Sequence, residues 1–260
     1  MQRLTVTRVP AGAALAWIAT GWRLFTPAVI AWMGMSAAFY LAAYALTLVP
    51  YAGPMLLNLA TPFVAAAYMA AAQAAERGEP TGLVHVGAGW YRGRQALLVI
   101  GAVYVLSHLL IGQIMTAMSG GAIERLVELT LQAQQGGGGD AAKMPDPQSM
   151  QALLDAALPA ALIGSLLFAP VFMATWFAPA LALFEDFPAA RALYWSLWAC
   201  LVNWRPMLLF ALLLFLMLTV AIIIPLGLGL LVFMPLAMTA TYAAYRAQFV
   251  RRDSLAWEAT

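Results

Sequence analysis

PMLLFALLLFLMLTVAIIIPLGLGLLVFMPLAMTATYAAY, residues 206–245, runs its whole length without a charged side chain. A spanning helix needs about 20 apolar residues to cross a bilayer core of about 30 Å, so this stretch holds two spans. Pro225, Gly227 and Gly229 stand near its middle, where a helix stops and a tight turn begins. The same logic works outward along the chain. Leu24–Ala75 is also uncharged and turns at Pro50, Tyr51, Gly53 and Pro54, while Gln95–Ile123 and Ala156–Phe184 hold one span each. The predicted spans are 25–49, 54–75, 95–118, 158–183, 207–224 and 226–248, within a single membrane domain covering 1–260. The fold class is an all-α membrane protein with six transmembrane helices.

Composition agrees. The chain is 64% hydrophobic and 9% charged with a mean hydropathy of +0.84, whereas soluble domains carry about 25% charged residues. There is too little polar material to coat a water-soluble core. The net charge of +2 carries no message about nucleic acid, because the charges are segregated. Arg3, Arg8, Arg23, Arg77, Arg92, Arg94, Arg191, Arg205, Arg246, Arg251 and Arg252 fall on one side of the predicted membrane, and only Arg125 and Lys143 on the other. The positive-inside rule places both termini and the basic connections in the cytoplasm. Arg3 and Arg8 precede the apolar run Ala11–Ile18, but Trp22-Arg23 interrupts it, so the first span is expected to act as an uncleaved targeting signal.

Three basic-aromatic pairs precede outward-going spans: Trp22 with Arg23, Trp90 with Arg92, and Trp204 with Arg205. Indole rings sit at headgroup level, and arginine keeps its stem in lipid and its charge in water. They are interfacial anchors, with anionic headgroup recognition as their second capability. Two short amphipathic helices are expected on the inner surface. In Ala11–Phe25 the apolar face is Leu15, Ile18, Trp22 and Phe25; in Pro188–Trp204 it is Leu193, Leu197, Cys200, Leu201 and Trp204, with Asp186 as cap. Each leads into a Pro-turned hairpin, which reads as a weak internal duplication in parallel orientation.

The external loop 119–155 contains an amphipathic segment at Ile123–Thr130, the run Gly136–Gly139, and a second helix started by Asp146-Pro147 and ending before Pro159. No charge lies deep in a span. Asn58, His108 and Gln113 are the candidate intramembrane polar site; interhelical hydrogen bonding is their default role and a titrating His108 the sharper one. Mid-span Pro62, Pro170, Pro179 and Pro235 free backbone carbonyls that either line a cavity or find Ser and Thr partners.

Catalytic templates fail. Two histidines, His85 and His108, make no helical metal pair, Ala117-Met118-Ser119-Gly120 lacks a later histidine as base, and no glycine motif cradles phosphate. No catalytic residue, metal site or cofactor is expected, and Cys200, alone, forms no internal disulfide.

The chain resembles a family of uncharacterised six-span inner-membrane proteins from β-proteobacteria. The resemblance rests on Gly21-Trp22-Arg23-Leu24-Phe25, Ala74-Ala75-Glu76-Arg77-Gly78-Glu79-Pro80, Trp176-Phe177-Ala178-Pro179-Ala180-Leu181, Ala199-Cys200 with Asn203-Trp204-Arg205, and Tyr242-Ala243-Ala244-Tyr245-Arg246. It is more faintly similar to the membrane domain attached to some bacterial glycerophosphodiesterases, whose catalytic domain it does not match. The resemblance implies a multi-pass protein of the bacterial inner membrane and no active-site residue. The expected function is non-enzymatic: structural, envelope-maintaining or partner-binding. The alternative is a transporter or lipid-handling protein with a cavity near Asn58, His108 and the span-four prolines. Expected partners are membrane lipids, and a protein partner or second copy.

The charge asymmetry makes a direct prediction. Alkaline phosphatase inserted after residue 138 is expected to be active, and a fluorescent protein at the C-terminus to fluoresce; the reverse pattern contradicts the orientation.

Overall fold

The computed structural model describes residues 4–50, 52–135 and 146–251. Its elements are β1 (Leu4–Val6), α1 (Ala13–Phe25), α2 (Val29–Thr47), α3 (Ala52–Glu76), α4 (Ala88–Tyr91), α5 (Arg94–Ser119), α6 (Ala122–Gln135), α7 (Pro147–Trp176), α8 (Ala178–Phe184), α9 (Ala189–Val202), α10 (Trp204–Ile223), α11 (Leu228–Gln248) and β2 (Phe249–Arg251). Six helical stretches are long and apolar enough to span: Ala13–Thr47, Ala52–Glu76, Arg94–Ser119, Pro147–Phe184, Trp204–Ile223 and Leu228–Gln248. The chain is an all-α, multi-span membrane protein. Tyr51, Lys143 and the Gly136–Gly139 run lie outside the described residues.

Two compact units divide the chain, one of residues 1–102 and 173–260 and one of residues 103–172. In the first, α11 is the hub, packed against α1, α2, α3 and α10. Its buried side is built of small residues, among them Ala237, Ala240, Thr241 and Ala244. Lipid tails are as apolar as leucine, so helices in a bilayer join by close packing and polar satisfaction rather than by sequestering oil from water.

The two predicted amphipathic helices each bury one side in protein and leave the other exposed. Helix α1 buries Ala14, Trp17, Gly21 and Phe25, leaving Leu15 and Trp22 exposed at 60% and 51%. It packs along the C-terminal part of α11. A Cβ at Gly21 would lie 2.6 Å from the Ala240 nitrogen, and Thr239 Oγ1 donates to the Gly21 carbonyl at 3.0 Å. Helix α9 likewise turns Ala189, Ala192, Ser196, Ala199 and Cys200 inward and leaves Leu201 and Trp204 exposed. No side chain caps it; Pro188 takes the N-cap position, and Asp186 sits at a φ of 50°.

The turns follow the sequence. A 3-10 turn at Thr26–Ala28 separates α1 from α2 around Pro27. The Leu24 carbonyl there accepts the Trp32 indole N–H at 3.2 Å. Pro225–Gly227 forms the second hairpin turn, with Gly227 at a φ of 70°. Both hairpins close on a glycine with no room for a side chain: Gly53 against the Leu46 carbonyl and Gly229 against that of Ala221. Ser36 and Tyr68 share a buried hydrogen bond of 2.8 Å, and the Trp32 ring stacks on Tyr68 at 6.2 Å.

Two prolines read differently in three dimensions. Pro159 does not end a helix: α7 runs 30 residues through it, about 45 Å of helix. Pro179 is not mid-helix but lies in the first turn of α8, where its missing N–H costs nothing. At the break, the Ser196 hydroxyl inserts into the helical ladder, accepting from Phe177 N at 2.9 Å and donating to the Met173 carbonyl at 2.7 Å. Side-chain insertion of this kind is a recognised cause of kinks.

The second unit contains α6 and the adjoining parts of α5 and α7. Asp146 caps α7 as the sequence suggests, its Oδ1 accepting from the Gln148 and Ser149 nitrogens at 3.1 and 3.0 Å. The Ser149 hydroxyl and N–H hold its carboxyl below the usual range. Thr116 donates to Glu124, and Gly164 lies against Met115.

Gly21→Ala is expected to destabilise by about 1–3 kcal/mol through overpacking, although alanine is the better helix former by about 1 kcal/mol. Gly34→Ala, in open space, is expected to be neutral or stabilising. Thermal aggregation midpoints in detergent check both signs.

Candidate functional site

Much of the polar chemistry of the first unit gathers at the end where β1 meets β2. Strands β1 and β2 pair antiparallel, with Leu4 opposite Arg251 and Val6 opposite Phe249. Thr7 N donates to the Gln248 carbonyl at 2.9 Å. Beneath this pair lies Asn203, 2% exposed, between α9 and α10. Its Oδ1 accepts from Val9 N, and its Nδ2 donates to the Thr7 carbonyl and to Gln248 Oε1, all at 3.0 Å. Gln248 is fully buried; it uses its own Nε2 on Met207 Sδ at 3.4 Å. One side-chain amide thus joins three segments distant in sequence.

Next to this knot, Glu76 at the end of α3 accepts from Tyr242 Oη at 2.6 Å and from Arg246 Nη1 at 3.0 Å, both on α11. The pair is half-exposed, with side-chain exposures of 55% for Arg246 and 41% for Glu76. It acts as a cross-link between helices more than as a strong ion pair. Tyr245 donates to Glu185 at 3.1 Å. A cleft of about 580 Å³ opens between α1, α3 and α11, lined by Thr20, Arg23, Leu24, Glu76, Tyr242 and Arg246 among others. Cys200 is buried, which pushes its thiol up to about 12 and leaves it a protonated packing group. Among the described residues, no three His, Cys, Asp or Glu side chains gather as metal ligands would.

The residues singled out from sequence lie elsewhere. Asn58 is half-buried on α3 in the first unit, whereas His108 and Gln113 are on α5 in the second. His108 Nδ1 is hydrogen-bonded to the Tyr104 carbonyl at 3.0 Å, and its ring lies 4.3 Å from that of Tyr104 and 4.6 Å from that of Phe168. Gln113 is exposed. Of the span-four prolines, Pro170 belongs to the second unit and Pro179 to the first. The anchors Trp22, Trp90 and Trp204 are all about half exposed, at 51%, 56% and 54%. Arg23 reaches Thr20 Oγ1 at 3.3 Å, and Arg205 lies over the Trp204 ring at 5.3 Å. The cation over Trp90 is Arg94, not Arg92, also at 5.3 Å. Arg92 is the extended residue that ends α4, whereas Arg94 opens α5.

Sequence reasoning passed over Asn203, Gln248, Glu76 and Tyr242 as site residues. The available signal was their place in the motif stretches: Glu76, Asn203, Tyr242 and Arg246 all sit in segments that carry the family resemblance.

Over 207 residues the chain is 30% identical to a "Probable inner membrane protein" of Burkholderia thailandensis, an alignment covering 78% of this chain and 71% of that protein. This chain belongs to that inner-membrane protein family. No protein-family model and no solved structure matches it. As an inner membrane protein, the molecule is multi-pass, and its six candidate spans account for most of the chain. The buried amide knot of this family member is what holds its two ends together.

Asn203→Ala strands a buried Gln248 and two backbone groups, and is expected to cost about 2–3 kcal/mol. The expected readout is a lower thermal aggregation midpoint together with faster amide exchange at residues 4–9.

Proposed function

We propose that this inner-membrane protein is non-enzymatic and has a structural, envelope-maintaining or partner-binding role, with both termini in the cytoplasm. The observation that supports it is the use made of the carboxylates at the basic end. Glu76 is held by a tyrosine and an arginine, and Glu185 by a tyrosine. A general acid or base needs reach to a substrate proton; these groups serve instead as acceptors that fasten one helix to another. On the second unit, α6 carries exposed Val127 and Leu131 beside Glu124, Arg125 and Glu128. An amphipathic face of that kind suits contact with a partner or with lipid.

The second reading is a transporter or lipid-handling protein. Its support is the cleft between α1, α3 and α11, which mixes Arg23, Arg246 and Thr20 with Leu24 and Trp17, more than any grouping of Asn58 with His108. The faint likeness to a glycerophosphodiesterase membrane domain supplies no catalytic residue to either reading.

Mild-detergent purification followed by mass spectrometry separates the two. A stoichiometric protein partner, with normal cell-envelope integrity in a Thr20→Val, Arg23→Gln double variant of the cleft, is the expected result. Loss of function in that variant with normal membrane insertion, accompanied by a co-purifying small molecule and no protein, favours handling and overturns the first reading.

A further inference from the structure

A second cleft of about 580 Å³ lies between the N-terminal segment and the junction of α9 with α10. Its lining includes Arg8, Trp198, Leu201, Trp204 and Arg205, two arginines with no Asp or Glu beside them among the described residues. This sets it apart from the cleft at Arg246, whose charge is already answered by Glu76. Arg8 and Arg205 are both exposed, as are Trp198 at 47%, Leu201 at 50% and Trp204 at 54%.

The placement of the two arginines is built into the fold. Asn203 forms the floor of the cleft. Its amide grips the chain on either side of Arg8, through the Thr7 carbonyl and the Val9 N–H. Arg205 follows Asn203 by two residues, and its guanidinium rests over the Trp204 ring. Both cations therefore hang from one buried amide. Two like charges lining one cleft, with no acidic residue in its lining among the described residues, repel each other, and a multi-oxygen anion relieves that repulsion. Guanidinium forks match phosphate oxygens bidentately. The surrounding indoles and leucine suit the ester and upper acyl region of a lipid at headgroup depth, on the face that the arginine asymmetry directs toward an anionic leaflet.

We propose that the Arg8–Arg205 cleft binds the phosphate of an anionic phospholipid headgroup, with its glycerol and upper chains against Trp198, Leu201 and Trp204. The shared chemistry is phosphate, and a soluble phosphate ester is the alternative source. The inference goes beyond the role proposed above and does not depend on it.

The test is native mass spectrometry of the full-length protein in mild detergent, titrated with phosphatidylglycerol and, separately, phosphatidylethanolamine. Wild type is expected to hold phosphatidylglycerol about tenfold more tightly. Arg8→Gln and Arg205→Gln are each expected to lose about tenfold, the consequence of one charge-assisted hydrogen bond. Arg77→Gln, another exposed arginine of the basic side but outside the cleft, is expected to change nothing. Millimolar glycerol 3-phosphate should leave the lipid in place. Arg8 is exposed, so its variant carries the test even if Arg205→Gln lowers the yield. Equal retention of the two lipids, unchanged binding in Arg8→Gln, an equal loss in Arg77→Gln, or displacement of lipid by glycerol 3-phosphate would each overturn the assignment.

Discussion

Helix α1 can lie against α11 only because residue 21 has no side chain. The backbone of Ala240 passes through the space a Cβ would take, and Thr239 seals the contact with a hydrogen bond to the Gly21 carbonyl. Much of the first unit follows from that approach. It brings Trp17 onto Phe210 of α10, edge to face at 5.4 Å. It also delivers residues 4–9 to the end of α11, where β1 finds β2 and the Asn203 amide finds Val9 and Thr7. In a solvent of lipid tails, such contacts depend on proximity and on satisfied polar groups, since apolar surface gains little by leaving one hydrocarbon environment for another.

The distribution of polar groups fits the same constraint. A donor or acceptor without a partner is costly in hydrocarbon, and buried hydroxyls here have partners: Ser36 with Tyr68, Thr241 with the Ala237 carbonyl, and Ser196 of α9 with the α7–α8 break. Glu76, Tyr242, Arg246, Asn203 and Gln248 occur instead where α3, α10 and α11 start or finish. Polar side chains there bind helices together, and at one place they also leave two arginines facing outward over a single amide.

The spans were legible because hydropathy and turn chemistry act over a few residues. Pro225 and Gly227 mark their hairpin, and Asp146 caps its helix as its position before Pro147 implies. The buried faces of α1 and α9 were not. The sequence displays the apolar face of α1, on which Leu15 and Trp22 stay exposed, whereas the face with Ala14, Trp17 and Gly21 is buried by α11, a partner more than 200 residues away. Pro159 reads as a boundary in the sequence, although the helix carries it through. Asn203 and Gln248 carry no charge and match no motif of their own, and their separation of 45 positions in sequence hides a 3.0 Å bond. Asn58 and His108 drew notice as lone polar groups in apolar runs, yet the fold assigns them to different units.

The central claim is that the first and last segments of the chain are joined at one face of the membrane. Thr5 and Val250 are directly paired across β1 and β2, so cysteines placed there in a Cys200→Ser background test it in native membranes. Mild oxidation is predicted to cross-link the Thr5→Cys, Val250→Cys pair within one chain, leaving Thr5→Cys with Leu48→Cys, beyond the far end of α2, unlinked. A pair that stays reduced at residues 5 and 250, or links no faster than that control, would contradict the account.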